Sequence, residues 1–432
     1  MNGQNKVKRL CVLLICCFLA IENISPTLAA TPDVFVQVSV GGSHSCAVTV
    51  GGSVWCWGKN NYGQLGLGYS GDPVLLPTQV PNISNVSSLA LGEAHSCAKL
   101  GDGHVACWGN NNYGQLGAGY LQGNLNSPQL LEGLANVSSI FSGPRGTCAL
   151  LVTSQVSCWG WNDFSQLGTQ DDAFVTKPRL IQNFSGVASL SMGMYHTCAL
   201  LVDKTVACWG YNYSGAIGLG YRSNVYPPYS VSQPTIIPGL TNIQAVAVGS
   251  GFACAVRDSL YSGGVQCWGQ NDHAQAGNTY TGGTVPTPAF VGIWDAADVV
   301  AMDGQICALL SSGQVRCVSG WDRNPLVPNL SSAISLVAGG DHVCAISSNH
   351  SLSCWGSNNF GQLGLGYVSD PTSTPAPMSD FQIVQSLKRP TSVTATDVTT
   401  QSATIEFQSA TSASYDNYAT YYEYSIDSGR SW

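Results

Sequence analysis

The sequence is poor in charge, in helical periodicity and in catalytic signatures. Only 9% of its 432 residues are Asp, Glu, Lys or Arg. No long stretch places apolar residues at i, i+3, i+4 and i+7, so amphipathic helices are not expected. Basic residues nowhere gather into a stripe or tail, which argues against nucleic acid as a partner, because neutralising phosphates requires clustered Lys and Arg. There is no G-x-S-x-G, no H-E-x-x-H and no phosphate-binding loop. Neither a cofactor nor a catalytic activity is therefore expected. Long hydrophobic runs are also scarce. Leu10 to Ile21 is apolar but only twelve residues long, too short for ~30 Å of hydrocarbon.

That run reads as the core of a secretory signal. Lys6, Lys8 and Arg9 precede it, and Thr27-Leu28-Ala29-Ala30 offers small residues for cleavage near Ala30. Residues 1–30 are assigned to the signal, and no membrane insertion is expected after cleavage. The remaining chain keeps 13 of the 16 basic and 23 of the 24 acidic side chains, a net charge of −10. The expected location is secreted or at the cell surface.

What is abundant is glycine, at 49 residues, and cysteine, at 17. Cys11, Cys16 and Cys17 leave with the signal. The other fourteen fall into consecutive pairs: Cys46 and Cys56, Cys97 and Cys107, Cys148 and Cys158, Cys198 and Cys208, Cys254 and Cys267, Cys307 and Cys317, Cys344 and Cys354. Nine residues separate the members of each pair, except for twelve in the fifth. In "SCAVTVGGSVWCWG" a three-residue hairpin loop at Val50-Gly51-Gly52 puts Cys46 opposite Cys56, within disulfide reach. An exported chain with an even cysteine count supports seven such staples. The competing reading is a metal. His44, His95, His196 and His342 each stand two residues before a cysteine, but Gly146, Phe252 and Gln305 hold that place elsewhere. Close C-x(2–4)-C ligand spacings are missing too. The histidines are expected to be hydrogen-bonded structural residues.

The first cysteines recur after 51, 51, 50, 56, 53 and 37 residues, a period that signals a repeat array. Each unit shows a strand before the hairpin, the two hairpin strands, a W-G-x-N-x-x-G-Q-L-G turn and a Pro-flanked outer strand. Four strands per unit and seven units describe an all-β fold, a seven-bladed β-propeller. The sixth unit is the shortest. "CVSGWDRNPLVP" lacks the turn, and Val318 stands where the other units have Trp57, Trp108, Trp159, Trp209, Trp268 and Trp355. Blade six should be trimmed, and the six tryptophans should be interblade core. The N-terminal strand "FVQVSVGG" is expected to complete the seventh blade and lock the ring, with "FQIVQSL" at 381–387 as its competitor.

G-x-x-H-[ST]-C-A, a hairpin, then W-G-x-N-x-x-G-Q-L-G resembles the regulator-of-chromosome-condensation repeat. The resemblance covers about residues 34–385 and implies the same seven-bladed propeller, here in a secreted, disulfide-stapled version. It also implies, by family analogy, nucleotide exchange on a small GTPase. Export, stapling and the lack of a basic tail weigh against that activity. The propeller is bounded at residues 31–387. Residues 388–432 turn rich in Thr and Ser and resemble the first strands of a fibronectin type III domain, too short to complete that sandwich.

The expected function is non-catalytic binding of another protein. Alternatives are inhibition of an extracellular enzyme such as a β-lactamase, a precedent the repeat family implies, and carbohydrate binding. Asp72, Asp163, Asp370 and the pair Asp171-Asp172 read as turn residues. Asp341-His342 has no evident serine partner. The best candidate surface is the longest insertion, "GYRSNVYPPYSVSQP", residues 220–234. With the residues before it, it offers Tyr211, Tyr213, Tyr221, Arg222, Tyr226 and Tyr229, residue types enriched at binding hot spots. Tyr261 in the fifth hairpin is a weaker second.

Overall fold

The computed structural model describes residues 35–169, 172–223, 229–258, 264–276, 283–319, 325–349, 351–382, 392–396 and 404–408. The expected signal segment with Cys11, Cys16 and Cys17, and also Asp171, Tyr226 and Tyr261, lie outside them. Among the described residues no helix is long and apolar enough to cross a membrane. The chain divides into two compact units, residues 1–385 and 386–432.

Among the described residues the first unit forms seven antiparallel sheets, each made of strands consecutive in sequence. Blade 1 is β1 (Phe35–Val40), β2 (His44–Thr49), β3 (Val54–Asn60) and β4 (Gly71–Gln79), paired in that order. The β2–β3 hairpin turns over Val50 to Gly52, with Thr49 N donating to Ser53 O at 2.9 Å. Gly52 takes the left-handed conformation, φ 74°, that closes such a loop. Directly opposed register follows, and Cys46 faces Cys56.

The same opposition recurs in the other six blades. Cys97 faces Cys107, Cys148 faces Cys158, and Cys198 faces Cys208. The wider fifth hairpin keeps the register, with Cys254 opposite Cys267. Cys307 faces Cys317, and Cys344 faces Cys354. Each of the seven pairs is joined by a disulfide, with Cα atoms 4.0–4.1 Å apart. The local pairing expected from the spacing is therefore the pairing of the structure.

The core lies in the seams between blades rather than within them. One cluster joins Cys46, Val48 and Leu65 of blade 1 to Leu91, Ala98 and Trp108 of blade 2. Another joins Cys344 and Leu363 of blade 7 to Phe35, Val38 and Trp57 of blade 1. The first strands of neighbouring blades also touch near the axis. There Gly340 N donates to Gly41 O, Gly42 N to Gly92 O, and Glu93 N to Pro144 O, all at 3.0–3.1 Å. A side chain at Gly41 would sit 2.5 Å from Gly92 O, so this approach requires glycine.

Ring closure corrects one expectation. The N-terminal strand does not complete the seventh blade; β1 pairs with β2 in blade 1. Blade 7 is built entirely from Ala333–Ala338, His342–Ser347, Ser351–Asn358 and Ser369–Gln382. The ring closes by packing blade 7 against blade 1, as at the other seams. Phe381 and Gln382 end the outer strand of blade 7, and residues 383–387 lie outside the described residues. Blade 6 has three strands among the described residues, Ala296–Ala301, Gln305–Leu310 and Val315–Ser319, plus an isolated bridge between Arg316 and Leu326.

In the second unit the described residues form one antiparallel hairpin, Ser392–Thr396 with Thr404–Gln408. The segment "YYEYSIDSGRSW", part of the fibronectin-like resemblance, lies outside the described residues.

Candidate functional site

The recurring turn is an assembly device. In blade 2, Asn111 is buried; its Oδ1 accepts from Leu116 N at 3.2 Å and its Nδ2 donates to Tyr120 O at 3.0 Å. Gln115 Oε1 accepts from Tyr113 N at 2.9 Å. The carbonyl of that glutamine then accepts from blade 3: Trp159 Nε1 donates to Gln115 O at 2.9 Å, and Thr147 Oγ1 at 3.1 Å. Trp108 to Gln64 O and Trp57 to Gln362 O repeat the bond at 2.9 Å. Each of these turns grips the tryptophan of the next blade.

The histidines lie in the same seams. His44 Nε2 meets Ser96 Oγ, and His95 Nε2 meets Thr147 Oγ1, both at 2.9 Å across 52 residues. His342 Nε2 meets Ser45 Oγ at 2.8 Å across 297 residues. The equivalent position facing His196 is Ala253, which offers no hydroxyl. Burial drives His44 and His95 down to about 3 and His196 to about 4.

Ser45 is the partner that Asp341-His342 lacks in sequence. Asp341 Oδ1 lies 3.1 Å from His342 Nδ1, completing an Asp–His–Ser alignment. Ser45 and His342 are nevertheless 0% exposed, and Ser45 Oγ donates to Gln362 O at 2.9 Å. The same His–hydroxyl contact joins blades 1 and 2, and 2 and 3, without a carboxylate. The His342–Ser45 contact is thus a clasp buried in the seam. Burial works to raise the Asp341 carboxyl, but His342, Gln362 and Ser43 hold it below its ordinary value.

The two ends of the propeller differ. One end carries the loops at residues 41–43 and 61–70 and their equivalents, because β1 and β3 both end there. Across blades 2, 3 and 4 this face bears a continuous aromatic band. Tyr113 contacts Phe174 and Trp161, with ring centroids 6.3 and 6.1 Å apart. Trp161 meets Phe164 at 5.6 Å and Tyr195 at 5.8 Å. Tyr211 packs on Phe164 at 5.0 Å and on Tyr195 at 5.7 Å. Tyr213 follows at 6.2 Å from Tyr211, then Tyr229 at 5.3 Å from Tyr213. Most of these contacts are edge-to-face or tilted, geometries aromatic pairs favour. Burial, and then its phenol neighbours, raise the Tyr211 hydroxyl above its ordinary value.

Of the six candidate residues, the structure brings Tyr211, Tyr213 and Tyr229 into one cluster. Tyr221 and Arg222 are exposed on the loop that follows, and Asn212 Nδ2 anchors that loop through Tyr221 O at 3.2 Å. Tyr226 lies outside the described residues. Tyr113, Trp161, Phe164, Phe174 and Tyr195 belong to the band but were not singled out from sequence. The available signal was local. In W-G-x the x residue is Trp161 and Tyr211 in blades 3 and 4, against Lys59, Asn110, Gln270 and Ser357 elsewhere.

The band has a cation built into it. The Arg145 guanidinium lies 4.6 Å from the Tyr113 ring centre and 5.2 Å from that of Trp161, with Glu93 Oε2 3.5 Å from its Nε. Lys59 sits 4.5 Å over Phe360 at the blade 7–blade 1 seam. Among the described residues of this face's loops and the strands beside them, eight carboxylates (Asp72, Glu93, Asp163, Asp172, Asp272, Asp303, Asp341 and Asp370) face four bases, Lys59, Arg145, Arg222 and Lys177, whose side chain lies against Gly119. On the opposite face Trp294, 60% exposed, pairs with Phe290 at 4.1 Å.

Comparison with known proteins places these features. The RCC1-like domain matches residues 20–315, and the regulator of chromosome condensation (RCC1) repeat matches residues 333–362. The ultraviolet-B receptor UVR8 of Arabidopsis thaliana is 38% identical over 136 residues, 31% of this chain and 30% of that protein. The human E3 ubiquitin-protein ligase HERC2 is 33% identical over 254 residues, 57% of this chain and 5% of that protein. The chain thus spans less than a third of either. Among solved structures, Prp20p of Saccharomyces cerevisiae superposes with a TM-score of 0.67 at 21% identity, covering 76% of this chain and 86% of its own. Human WBSCR16 gives 0.66 at 20% identity, covering 79% and 96%.

Proposed function

Because this chain belongs to the RCC1-like domain family, we propose that it is a non-catalytic interaction scaffold, exported and stapled, that binds another protein through the aromatic face of blades 2–4. The observation that carries the reading is the asymmetry of an otherwise repeating ring. The cysteine pairs recur in every blade, whereas the positions occupied by Trp161 and Tyr211, at the ends of their strands, and by Tyr195, in a loop, are polar or small in the other blades that carry the motif. Clustered Tyr and Trp, partly buried and ringed by polar groups, are the usual composition of an interface centre. A likeness in the family supports protein partners: the structure of Prp20p is described with its binding to Gsp1p and histones. Seven local disulfides are consistent with an extracellular location. The Asp–His–Ser alignment lends no support to a catalytic role, because its histidine and serine are sealed inside a seam.

The test is quantitative affinity capture from the extracellular fraction of the producing organism. A partner retained by the native protein is expected to be lost from a double variant, Tyr211→Ala with Tyr213→Ala, and kept by Trp294→Ala on the opposite face. Retention that ignores the double variant, or that fails with Trp294→Ala, contradicts the assignment of the face.

A further inference from the structure

We propose that the aromatic band recognises arginine side chains of a partner polypeptide. The proposal rests on the interaction-scaffold reading and adds the chemistry of the partner.

The molecule already contains one example of the contact. At the seam between blades 2 and 3, the Arg145 guanidinium stacks near Tyr113 of one blade and Trp161 of the next, with Glu93 balancing its charge. A planar cation over ring faces gains from the negative π cloud, and guanidinium does so better than ammonium because it stacks and is weakly hydrated. The next seam repeats the geometry with one change. Tyr195 occupies the chain position equivalent to Arg145, packed on Phe164 of blade 3 and Tyr211 of blade 4. Among the described residues, the second seam thus has the rings without a built-in cation. Its outer member, Tyr213, is 52% exposed.

Charge is complementary to the same ligand. The face carries eight carboxylates against four bases among the described residues. Arg145 is committed to Glu93, and Lys59 lies over Phe360. Asp163 projects from the turn of blade 3 beside Phe164. One of its oxygens accepts from Trp161 Nε1 at 2.6 Å, which fixes the carboxylate next to the band. The proposed arginine would lie over Tyr213, the exposed end of the cluster, with Asp163 on the turn of the neighbouring blade as its carboxylate, as Arg145 lies over Tyr113 and Trp161 with Glu93. An acidic segment would be repelled by the same face.

The experiment is calorimetric titration of the disulfide-intact full chain with four probes. These are peptides of alternating Gly-Arg, Gly-Lys and Gly-Glu of equal length, and a neutral oligosaccharide. The arginine peptide is expected to bind most tightly and to keep measurable affinity in high salt. Tyr213→Ala should weaken it about tenfold, and Tyr213→Phe, which keeps the ring, should not. Asp163→Asn should weaken it by a smaller factor, and Trp294→Ala not at all. Tyr213 is exposed, and unchanged thermal unfolding of its variants will show that the fold is intact. Equal binding of the lysine peptide, abolished by salt and indifferent to Tyr213→Ala, overturns the proposal as non-specific attraction. Binding of the oligosaccharide alone overturns it in favour of a glycan. If the arginine peptide fails while captured partner is still lost from the Tyr211 and Tyr213 double variant, the scaffold reading stands and the arginine proposal falls.

Discussion

At the scale of the residue, the repeated histidine sets a dependence on pH. His95 is fully buried, its Nε2 engages Thr147 Oγ1, and desolvation lowers it to about 3. In the unfolded chain the same imidazole titrates near 6.5. Between those values the unfolded state binds the proton and the native state does not, so stability falls as pH drops from about 6.5 toward 3. His44, lowered by burial to about 3, and His196, lowered by burial to about 4, act in the same direction. Thermal unfolding midpoints should therefore decline through this window. His95→Gln, which cannot be protonated, should flatten the decline while lowering stability at neutral pH. An unchanged slope in the variant would remove His95 as a contributor.

At the scale of the element, the stapled hairpin is the unit that repeats. Each disulfide closes a short loop and restricts the unfolded chain by up to about 2–3 kcal/mol on the loop-entropy account. Blade 6 keeps its staple, Cys307–Cys317, but among the described residues its third strand has only the Arg316–Leu326 bridge on its outer side. Amides of Val315–Ser319 should consequently exchange with solvent faster than those of Val105–Gly109 and Val206–Tyr211, which are covered by fourth strands. Hydrogen-exchange mass spectrometry checks this, and equal protection would mean that blade 6 is completed by other means. Much of this level was legible in the sequence. Cys46 and Cys56 share one hairpin, so local alternation fixes their register, and the same holds for Cys97 with Cys107 and Cys148 with Cys158. Even the longer loop between Cys254 and Cys267 leaves the alternation on both sides intact. The outer strand of blade 7, Ser369–Gln382, follows the Pro-flanked outer strand expected of each unit. An edge strand bonds on one side only and tolerates proline on the other, and Cys354 duly pairs with Ala376.

At the scale of the whole molecule, closure and the face depend on contacts between distant segments. Ser45 meets His342 across 297 residues, and no local pattern announces that distance. The strand "FVQVSV" resembles the first strand of every unit, so sequence alone leaves its blade open. The structure assigns it to blade 1, where it pairs antiparallel with His44–Thr49. A double-mutant cycle of Ser45→Ala and His342→Gln should return a coupling of about 1 kcal/mol, the size of a buried hydrogen bond. No coupling is expected between Ser45→Ala and His95→Gln, and coupling of zero at the first pair would deny the clasp its part in closure. The aromatic band was half legible. Tyr211, Tyr213 and Tyr229 belong to one loop region of blade 4. Tyr113, Trp161 and Tyr195 come from three blades, and only the seams bring them together.

The central claim is that this ring meets its partner through the band on blades 2–4. The most direct measurement is amide hydrogen exchange of the intact protein with and without the captured partner. The account predicts new protection in residues 110–124, 161–169, 193–195 and 211–223, with the hairpin loops at residues 50–53, 152–155 and 202–205 unchanged. Protection confined to those hairpin loops, on the opposite face, would contradict it.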